Sequence, residues 1–311
     1  MRVTVPSLAK LNLDLRVLGK RPDQYHELRT IFQTISLSDT LTIEFEAAKR
    51  TQVELESSVA IADNLVLRAA HLVLAHLKMK AAVRFTLTKR IPMGAGLGGG
   101  SSNAAAVLIA LPALAGRPVP PNELLALAET LGSDVSFFLY GGTALGMSRG
   151  SELYPLKDLP AYAALVVATG THVSTAEAYR DLGRDVTNAL TSQAESLILR
   201  EFQRIAWALE GESLDQLPLK NDFEPAVFRQ HPELAKVVRK LRRLGAQPAM
   251  MTGSGSALFG VFADTSEALA AASHFATGSA FPVHFAGRRE YRRLWQRALG
   301  AATDASCFAG N

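Results

Sequence analysis

A glycine-rich segment in the first half of the chain carries the strongest chemical signal in the sequence. Residues 92–103 read Pro-Met-Gly-Ala-Gly-Leu-Gly-Gly-Gly-Ser-Ser-Asn, with five glycines between positions 94 and 100. Glycines at this density cost backbone entropy in a helix or strand, but they let main-chain N–H groups converge on an anion. The N-terminus of the alanine-rich helix that follows would add to such a cradle. The segment therefore predicts a phosphate-binding loop, and a tight turn without a ligand is the weaker alternative.

The familiar phosphate motifs do not fit this loop. Gly94, Gly96 and Gly99 match the dinucleotide pattern G-x-G-x-x-G, but the acidic residue expected about 20 positions later is absent from the segment 117–121. Gly100 stands where a Walker loop requires lysine. No H-R-D or D-F-G triplet occurs, which argues against a eukaryotic-type protein kinase. The loop therefore belongs to another class of phosphate-binding protein.

Two charged residues outside the loop could carry acid–base chemistry. Asp134 follows Gly132 and precedes an apolar run that begins at Val135, so its carboxylate is a candidate general base in a partly enclosed setting. Lys10 lies in an apolar, strand-like stretch, where a lone lysine is unusual, and it could stabilise a developing oxyanion. Asn12 points to the same face as Lys10 because strand side chains alternate. From the residues alone, two alternatives stay open: a helix cap for Asp134 and an edge-strand guard for Lys10.

Strands and helices interleave along the chain and must position these residues. The predicted strands are Arg2–Val5 (ended by Pro6), Leu11–Val17, Ile31–Ile35, Leu41–Phe45, Ala82–Thr88, Thr143–Met147, Ala163–Ala168, Ala249–Thr252, Ala257–Phe262 and Val283–Phe285. The predicted helices are Asp63–Lys78 (N-cap Asp63), Ser102–Leu114, Glu123–Leu131, Ser174–Leu182, Asn188–Leu209, Glu224–Leu244 and Ser266–Phe275, with a linker over Leu153–Pro160. Ser101 and Ser102 suit the cap of the helix after the loop. The pattern indicates an α+β protein with domains over residues 1–158 and 159–311.

Bulk composition narrows the class of protein further. The chain has 311 residues, 48% apolar and 20% charged, which suits about two packed domains. A single cysteine, Cys307, allows no internal disulfide, and no signal peptide or membrane-spanning run is visible. We therefore expect a cytoplasmic protein without a membrane partner. The net charge of +4 is compatible with an anionic substrate. The basic clusters near Lys236 and Arg288 are predicted to be solvated faces, with a nucleic-acid patch as the alternative.

The glycine-rich segment resembles the central phosphate motif of the GHMP kinases, a family of small-molecule kinases. Further segments resemble the branch of that family that phosphorylates 4-diphosphocytidyl-2-C-methylerythritol. They are Ala9–Leu13, Lys20–Leu28, Leu131–Val135, Asn221–Pro225 and Met251–Ser256. The match runs from about residue 2 to residue 285, with the motifs in the family's order. The resemblance implies transfer of phosphate from ATP, with Mg²⁺, to the 2-hydroxyl of this cytidine-diphosphate-linked polyol in the non-mevalonate isoprenoid precursor pathway.

The resemblance also implies a fold and a set of site residues. The fold is an N-terminal, ribosomal-protein-S5-domain-2-like α/β domain that binds ATP and a C-terminal, ferredoxin-like α+β substrate domain. Asp134 would be the catalytic base and Lys10 its partner. ATP would be bound by Pro92, Met93, Gly94, Ala95, Gly96, Leu97, Gly98, Gly99, Gly100, Ser101, Ser102 and, at the adenine, Asn64. Substrate would be bound by Asn12, Tyr25, His26, Thr175, Tyr179, Gly253, Ser254 and Gly255.

Aromatic residues would recognise the cytosine base in this interpretation. Tyr25 and Tyr179 would sandwich the base while His26 reads its polar edge, and Thr175 shares a helix face with Tyr179. No His, Cys or acidic partner stands at metal-ligand spacing from His26. The plainer alternatives are surface-loop aromatics at 25–26 and simple helix packing at 175–179. Likewise, an Asx turn competes for Asn64, and a hairpin loop competes for residues 253–256.

One residue departs from the family pattern. Gln24 stands where these kinases usually carry glycine before the Tyr-His pair, which predicts strain if the position needs a positive φ. Two other functions remain as alternatives. Another GHMP kinase with a different acceptor is disfavoured by Tyr25, His26 and Tyr179, because a non-nucleotide substrate has no use for an aromatic clamp. An RNA-binding, translation-type module is disfavoured by the glycine loop, and we therefore expect no nucleic-acid partner.

Overall fold

A computed structural model of the protein describes residues 1–21, 23, 25–183, 192–209 and 211–300. The first half contains β1 (Arg2–Lys20), β2 (His26–Ala47), β3 (Gln52–Ser57), α1 (Leu65–His76), β4 (Ala81–Thr88), α2 (Gly99–Leu114), α3 (Pro121–Leu131), α4 (Phe137–Tyr140), β5 (Thr143–Ser148) and β6 (Glu152–Pro155). The second half contains β7 (Ala163–Val167), α5 (Thr175–Leu182), α6 (Ser192–Ala208), α7 (Glu224–Gln230), α8 (Pro232–Arg243), β8 (Ala249–Met251), β9 (Leu258–Phe262), α9 (Thr265–Ala272), β10 (Ala280–His284) and α10 (Arg288–Leu299), with a 3-10 turn at Leu214–Gln216.

The first sheet has six strands in the order β3-β4-β2-β5-β6, with β1 paired along β2. β2 is long enough to pair with β5 through its first half and with β4 through its second half, while β1 follows its whole length. Pro6, predicted to end the first strand, lies inside β1 opposite Thr40. That prediction was wrong because β1 is an edge strand, where the missing proline N–H costs no ladder hydrogen bond.

Helices α1 and α2 pack on this sheet and bury an apolar core with it. α2 is enclosed on almost every side, since its residues from Ser102 to Leu114 are all buried. Its glycine-rich beginning is therefore held firmly at the edge of the sheet. The N-cap of α1 is Asn64, not Asp63 as predicted: the Asn64 side chain accepts a hydrogen bond from the Val66 N–H at 3.0 Å. Asp63 instead has a positive φ of 48°.

The second sheet is antiparallel, in the order β10-β7-β9-β8. Two isolated β-bridges connect the second half of the chain to the first sheet. Asn221 pairs with Leu15 of β1, and Phe285 pairs with Ile35 of β2. The predicted helix over 224–244 is two helices, α7 and α8, which meet at His231 before Pro232. A proline disfavours the helical conformation of the residue before it. The predicted linker over 153–160 contributes to β6, which pairs with β5.

The last described helix, α10, returns to the first half of the molecule. Its residues Tyr291, Trp295 and Leu299 belong to the core of the first sheet. The sequence interpretation recorded the arginines of this segment but not the apolar residues at every fourth position between them, which indicate a helix. The α+β class is confirmed by the two sheets and their helices, whereas the boundary at residue 158 stays a prediction. In the described ranges, no helix is long and apolar enough to cross a membrane. Cys307 lies outside these ranges.

Candidate active site

A cleft of about 1110 Å³ receives residues from both halves of the chain. Thirteen of the predicted site residues line it: Lys10, Asn12, Tyr25, His26, Gly94, Gly96, Gly98, Asp134, Thr175, Tyr179, Gly253, Ser254 and Gly255. Those predicted residues that are not among the lining residues are Asn64, Pro92, Met93, Ala95, Leu97, Gly99, Gly100, Ser101 and Ser102. The sequence thus predicted a set that converges in space, although its members are separated by up to 245 positions in the chain, from Lys10 to Gly255.

Lys10 and Asp134 face each other in the cleft. The Lys10 Nζ lies 3.5 Å from the Asp134 Oδ2, and it donates a hydrogen bond to the Asn12 Oδ1 at 2.6 Å. The Lys10 side chain is 4% exposed and the Asp134 side chain is 32% exposed. Burial lowers the pKa of Lys10, and the nearby Asp134 carboxylate opposes that shift. The arrangement places one enclosed cation beside one carboxylate that a substrate can reach.

The two plainer interpretations of this pair are wrong. Asp134 lies in the turn between α3 and α4, and the residue at the N-cap of α4 is Ser136. Asp134 therefore does not cap a helix. Lys10 does not guard an exposed strand edge, because it is buried under the cleft with its ammonium 5.5 Å from the centre of the Phe32 ring. Neither residue is explained by the needs of its own secondary structure.

The glycine-rich segment turns into the cleft before α2 begins. Gly94, Gly96 and Gly98 have φ values of +63°, +77° and +70°, which side-chain-bearing residues rarely adopt. A Cβ on Gly96 would lie 2.4 Å from the Thr252 carbonyl oxygen. A Cβ on Gly98 would lie 2.8 Å from the Phe138 ring. At these two positions only glycine permits the close packing of the loop.

The serines of this segment do not cap α2, contrary to prediction. The helix begins at Gly99, and its N-cap is Gly98, which offers no side chain. Ser101 and Ser102 fall inside the first turn because the glycines themselves supply the helix start. The Ser102 hydroxyl is buried, and it finds no hydrogen-bond partner among the described residues. The first-turn N–H groups and this hydroxyl together offer donors to an anion.

Asp39, which the sequence interpretation missed, binds the backbone just before the glycine-rich segment. The Asp39 Oδ1 accepts hydrogen bonds from the backbone N–H groups of Arg90 and Ile91 at 2.8 and 2.9 Å. Its other oxygen accepts from the Asn103 Nδ2 at 3.0 Å and pairs with Lys89. Asp39 thereby ties the approach to the loop to the first turns of α2. In the sequence Asp39 stands between Ser38 and Thr40, a polar setting that gave no signal for this role.

Among the described residues, the Asn64 side chain forms a hydrogen bond through its oxygen but not through its nitrogen. Its Oδ1 caps α1 as described, so the Asx-type interpretation is structurally correct. Its Nδ2 is buried, and no partner for it lies in the part of the chain that the structure describes. A buried donor without a partner costs free energy, which an external acceptor would relieve. The cap and a ligand contact are therefore compatible in the same residue.

Aromatic rings form the opposite end of the cleft. Tyr25 is 52% exposed, and the Arg149 guanidinium lies 4.6 Å from the centre of its ring. The His26 ring is stacked on the Tyr179 ring, with 4.4 Å between centres and 19° between planes. Phe223 meets Tyr179 edge-on at 4.8 Å. Burial and the neighbouring charge of Lys20 lower the pKa of His26. Gln24 lies outside the described residues.

The loop between β8 and β9 completes the cleft. The Ser254 Oγ and the Thr175 Oγ1 lie 2.9 Å apart, so the loop contacts the start of α5. The Asn221 Nδ2 donates to the carbonyl oxygens of Met251 and Gly253 at 2.9 and 2.8 Å. The loop is thus a hairpin connection, as one alternative held, and also a wall of the cleft. The sequence interpretation assigned no role to Asn221.

Among the described residues, no group of three or more His, Cys, Asp or Glu side chains could hold a metal ion. Of the residues that the structure describes, Asp134 is the only carboxylate that lines the cleft. A divalent cation there would depend on oxygen atoms that a ligand brings, as is usual for Mg²⁺ beside phosphates.

The fold and this site define a class of protein once they are compared with known sequences. Residues 64–142 match the family described as GHMP kinases N terminal domain, and residues 197–278 match GHMP kinases C terminal. The chain is a GHMP kinase, and hence an ATP-dependent small-molecule kinase. The two-domain α+β fold that the resemblance implied is confirmed.

Within this family, the chain belongs to the 4-diphosphocytidyl-2-C-methyl-D-erythritol kinases. A kinase of that name from Solibacter usitatus (strain Ellin6076) is 52% identical over 302 residues, covering 97% of this chain and 94% of the relative. One from Thermotoga maritima is 42% identical over 257 residues, covering 82% and 90%. A solved structure of 4-(cytidine 5'-diphospho)-2C-methyl-D-erythritol kinase superposes with a TM-score of 0.75 at 38% identity, covering 92% of this chain and 100% of that one.

A homoserine kinase structure from Cytophaga hutchinsonii also superposes, with a TM-score of 0.71 at 18% identity. It covers 91% of this chain and 94% of that chain. At this identity the likeness shows that the fold is shared and says nothing about the acceptor.

Proposed function

We propose that this protein transfers the γ-phosphoryl group of ATP to the 2-hydroxyl of 4-diphosphocytidyl-2-C-methyl-D-erythritol, in the non-mevalonate route to isoprenoid precursors. The observation that carries the proposal is the Lys10–Asp134 pair, which lies in one cleft with the glycine loop and the aromatic rings. The names of the related kinases support the choice of acceptor. Each end of the cleft then has a function in the reaction.

Asp134 acts as the general base in this mechanism. Its partly exposed carboxylate accepts the proton of the acceptor hydroxyl, while the oxygen bonds to the γ-phosphorus and ADP leaves. Lys10 stabilises the negative charge that develops on this oxygen. Its burial makes the ammonium effective because few water molecules screen it. Asn12 accepts a hydrogen bond from the ammonium and thereby limits its orientation.

The glycine loop and the start of α2 bind the phosphates of ATP. The first-turn N–H groups and the buried Ser102 hydroxyl donate to phosphate oxygens. The Asn64 Nδ2 donates to the adenine ring, which would supply the acceptor that this buried group otherwise lacks. Mg²⁺, held mainly by the phosphates and by Ser102, would neutralise charge on the transferred group when bound. The Asp134 carboxylate in the cleft and the Ser102 hydroxyl, which has no partner among the described residues, are consistent with such a site.

The aromatic end of the cleft binds the cytidine. A base stacked on an aromatic ring gains about 1–3 kcal/mol, and the exposed Tyr25 face is open to it. Tyr179 can form the second side of the sandwich only if His26 leaves the Tyr179 ring, on which it is stacked in the structure. Once displaced, His26 can reach the polar edge of the base. Thr175, Ser254 and the glycines of the same loop contact the polyol.

An acceptor screen tests this function directly. Purified protein is mixed with ATP and Mg²⁺ and with the diphosphocytidyl polyol, homoserine or mevalonate, and ADP release is followed. We expect turnover with the diphosphocytidyl polyol alone, with phosphorus NMR placing the new phosphate on the 2-hydroxyl. Asp134→Asn serves as the matched inactive control. Folded protein that releases ADP only with another acceptor, or with none, would overturn the assignment.

We also infer a cytoplasmic enzyme that needs neither a nucleic acid nor a membrane. The modest net charge and the substrate chemistry support this view. Filter binding with labelled RNA, run beside labelled ATP, tests the nucleic-acid part. Retention of RNA at an affinity similar to that of ATP would contradict it.

A further inference from the structure

The Asn12 side chain forms hydrogen bonds on both sides of its amide, and every partner is buried. Its Oδ1 accepts from the Lys10 ammonium at 2.6 Å, and its Nδ2 donates to the Thr30 Oγ1 at 2.8 Å. Its backbone N–H donates to the Thr252 Oγ1 at 2.9 Å. The Thr252 hydroxyl in turn donates a long hydrogen bond, of 3.4 Å, to the Asn12 Oδ1. Two threonine hydroxyls therefore surround this amide.

The direction of these hydrogen bonds fixes which way the amide faces. The Thr30 hydroxyl donates its proton to the Asp14 carbonyl oxygen at 2.8 Å, so its oxygen is left to accept from Asn12. The Thr252 hydroxyl accepts from the Asn12 N–H, so its proton is free to point at the Asn12 Oδ1. The oxygen and nitrogen of an amide have nearly the same shape, and neighbours alone decide their order. A reversed amide would present NH₂ to the Lys10 ammonium.

Thr252 is itself held firmly in place. The Asn221 Nδ2 donates to the carbonyl oxygens of the residues on each side of it, Met251 and Gly253. The Thr252 N–H also donates to the Ala257 carbonyl oxygen at 3.0 Å. A loop of the C-terminal half of the chain is thus connected, through one hydroxyl, to a strand of the N-terminal half. Thr30 is fixed independently, within β2.

We propose that Thr30 and Thr252 are positioning residues that lock the Asn12 amide with its oxygen toward Lys10, and so hold the ammonium in place beside Asp134. The proposal rests on the proposed phosphoryl transfer, for which Lys10 supplies charge stabilisation. The Thr252 backbone also packs against Gly96, and Thr30 lines the cleft. The side-chain hydroxyl of each threonine, however, bonds to Asn12, so removing the hydroxyl alone tests the route through Asn12. Small misplacements of a catalytic group reduce the rate steeply, which makes a distant hydroxyl important.

Isosteric substitutions test the proposal. Thr252→Val and Thr30→Val each remove one hydroxyl and keep the shape of the side chain. We expect each to lower kcat about tenfold while the KM for ATP stays within about twofold. Thr252→Ser and Thr30→Ser retain the hydroxyl and should restore most of kcat. The double valine variant should lose less than the product of the single losses, because both residues act on one amide.

Thr143→Val is the matched control. Thr143 is also fully buried, and its hydroxyl donates to the Gln33 Oε1 at 2.7 Å and accepts from the Leu159 N–H at 3.2 Å, but it does not line the cleft. Thermal unfolding should show a loss of stability similar to that of Thr252→Val, with kcat unchanged. If Thr143→Val lowers kcat as much as Thr252→Val does, the effect is general destabilisation and the positioning role is wrong.

A readout without turnover separates this proposal from the acceptor assignment. The charged group that faces Lys10 is Asp134, and the Asn12 oxygen adds a hydrogen bond to the ammonium. Competitive labelling of Lys10 with an amine-reactive ester, followed by mass spectrometry across pH, reports its titration. The midpoint should move to lower pH in Thr252→Val and stay in place in Thr143→Val. An unchanged midpoint in Thr252→Val overturns the proposal, whatever acceptor the enzyme uses.

Discussion

The two ends of the cleft are built in different ways. At the phosphoryl-transfer end, Lys10 and Asn12 are buried, and the backbone N–H of Lys10 donates to the Leu97 carbonyl oxygen of the glycine loop at 3.0 Å. At the aromatic end, Tyr25 is half exposed and lies in a turn. Its backbone N–H donates a hydrogen bond at 3.2 Å to the Oδ1 of Asp23, which is also exposed. The first end is a dense network of hydrogen bonds, whereas the second is a set of ring contacts.

This difference fits what each end of the cleft would do in the proposed reaction. Stabilising charge in a transition state requires dipoles and cations that are already in place, because reorganising them would cost free energy during the reaction. Recognising a base requires flat surfaces, and ring faces tolerate sliding and exchange of partners. Substitutions at the first end should therefore lower kcat or the affinity for ATP, and substitutions at the second end should raise the KM for the cytidine substrate. The four predictions below test that division.

The largest effect is expected from Asp134→Asn. Asparagine keeps the size of the side chain but accepts no proton, so kcat should fall by about 10²–10⁴-fold. The KM for ATP should stay near the wild-type value, because the glycine loop binds the phosphates independently. Steady-state kinetics with both substrates varied measures the split.

Lys10→Met provides the companion measurement. It should also lower kcat, and the double variant should lose less than the product of the single losses, since both residues act on the same oxygen. The transition state of such transfers is loose, and a late proton transfer would make the Asp134 effect small. Retention of more than about a tenth of wild-type kcat in Asp134→Asn, together with an unchanged acidic limb of the pH–rate profile, would show that it is not the base.

Gly96→Ala should give the next largest effect, on ATP. The added Cβ would lie 2.4 Å from the Thr252 carbonyl oxygen, so the loop must move away from the hairpin. We expect ATP binding to weaken about a hundredfold, since the aligned N–H donors are displaced together. Calorimetric titration with a non-hydrolysable ATP analogue measures this loss.

Gly170→Ala separates the clash from backbone strain. Gly170 has the same φ of +77°, but a Cβ there meets nothing within 4 Å. The strain of a positive φ should cost about 1 kcal/mol of stability and leave ATP affinity unchanged. Equal losses of affinity in the two variants would mean that the contact with Thr252 does not matter.

The sequence predicted the phosphoryl-transfer end better than the interactions that support it. Lys10, Asp134 and the glycine loop were selected as site candidates because their residue types are unusual for their surroundings, and their roles stay predictions. Asp39 and Asn221 were missed in their roles because a buried polar residue that bonds to backbone groups far away in sequence has no local pattern. Such contacts exist only after the chain has folded.

Secondary structure shows the same limit. Most helices and the strands β4, β5 and β7 to β10 were predicted within a few residues, but β1 and β2 were each predicted as two shorter strands and β3 was missed. The helices α7 and α8 were merged because Pro232 was overlooked as a break. At Pro6 the error was the reverse, because a strand break was predicted where β1 continues. A strand accepts proline only at the edge of a sheet, and the position of a strand in the sheet cannot be seen in the local sequence. The prediction that Ser101 and Ser102 cap α2 was wrong, because the helix begins earlier, at Gly99, with Gly98 as its N-cap.

Tyr25→Ala should act at the aromatic end, with a smaller effect. Loss of about 1–3 kcal/mol of stacking should raise the KM for the diphosphocytidyl substrate about ten- to a hundredfold. ATP affinity should hardly change, because the glycine loop is separate from this turn. Tyr25→Phe keeps the ring and should stay near wild type. Equal losses for both substrates in Tyr25→Ala would indicate a folding defect and remove the evidence for a clamp.

Tyr179→Phe is expected to have the smallest effect. Burial raises the pKa of the Tyr179 hydroxyl, and the Asp134 charge adds to this shift, so the environment disfavours the phenolate. Phenylalanine preserves the ring that stacks on His26 and meets Phe223 edge-on. If ring faces carry the recognition, the KM for the diphosphocytidyl substrate should change less than about threefold, since stacking does not need the hydroxyl.

Tyr179→Leu is the comparison, because it keeps apolar volume but removes the flat face. Its KM for the same substrate should rise about tenfold, from the loss of stacking on one side of the base. Both variants should keep the wild-type kcat, because Tyr179 lies at the end of the cleft that recognises the base. A large fall in kcat for Tyr179→Phe would mean that this hydroxyl takes part in the chemistry near Asp134. The two ends of the cleft would then not be separable in the way proposed.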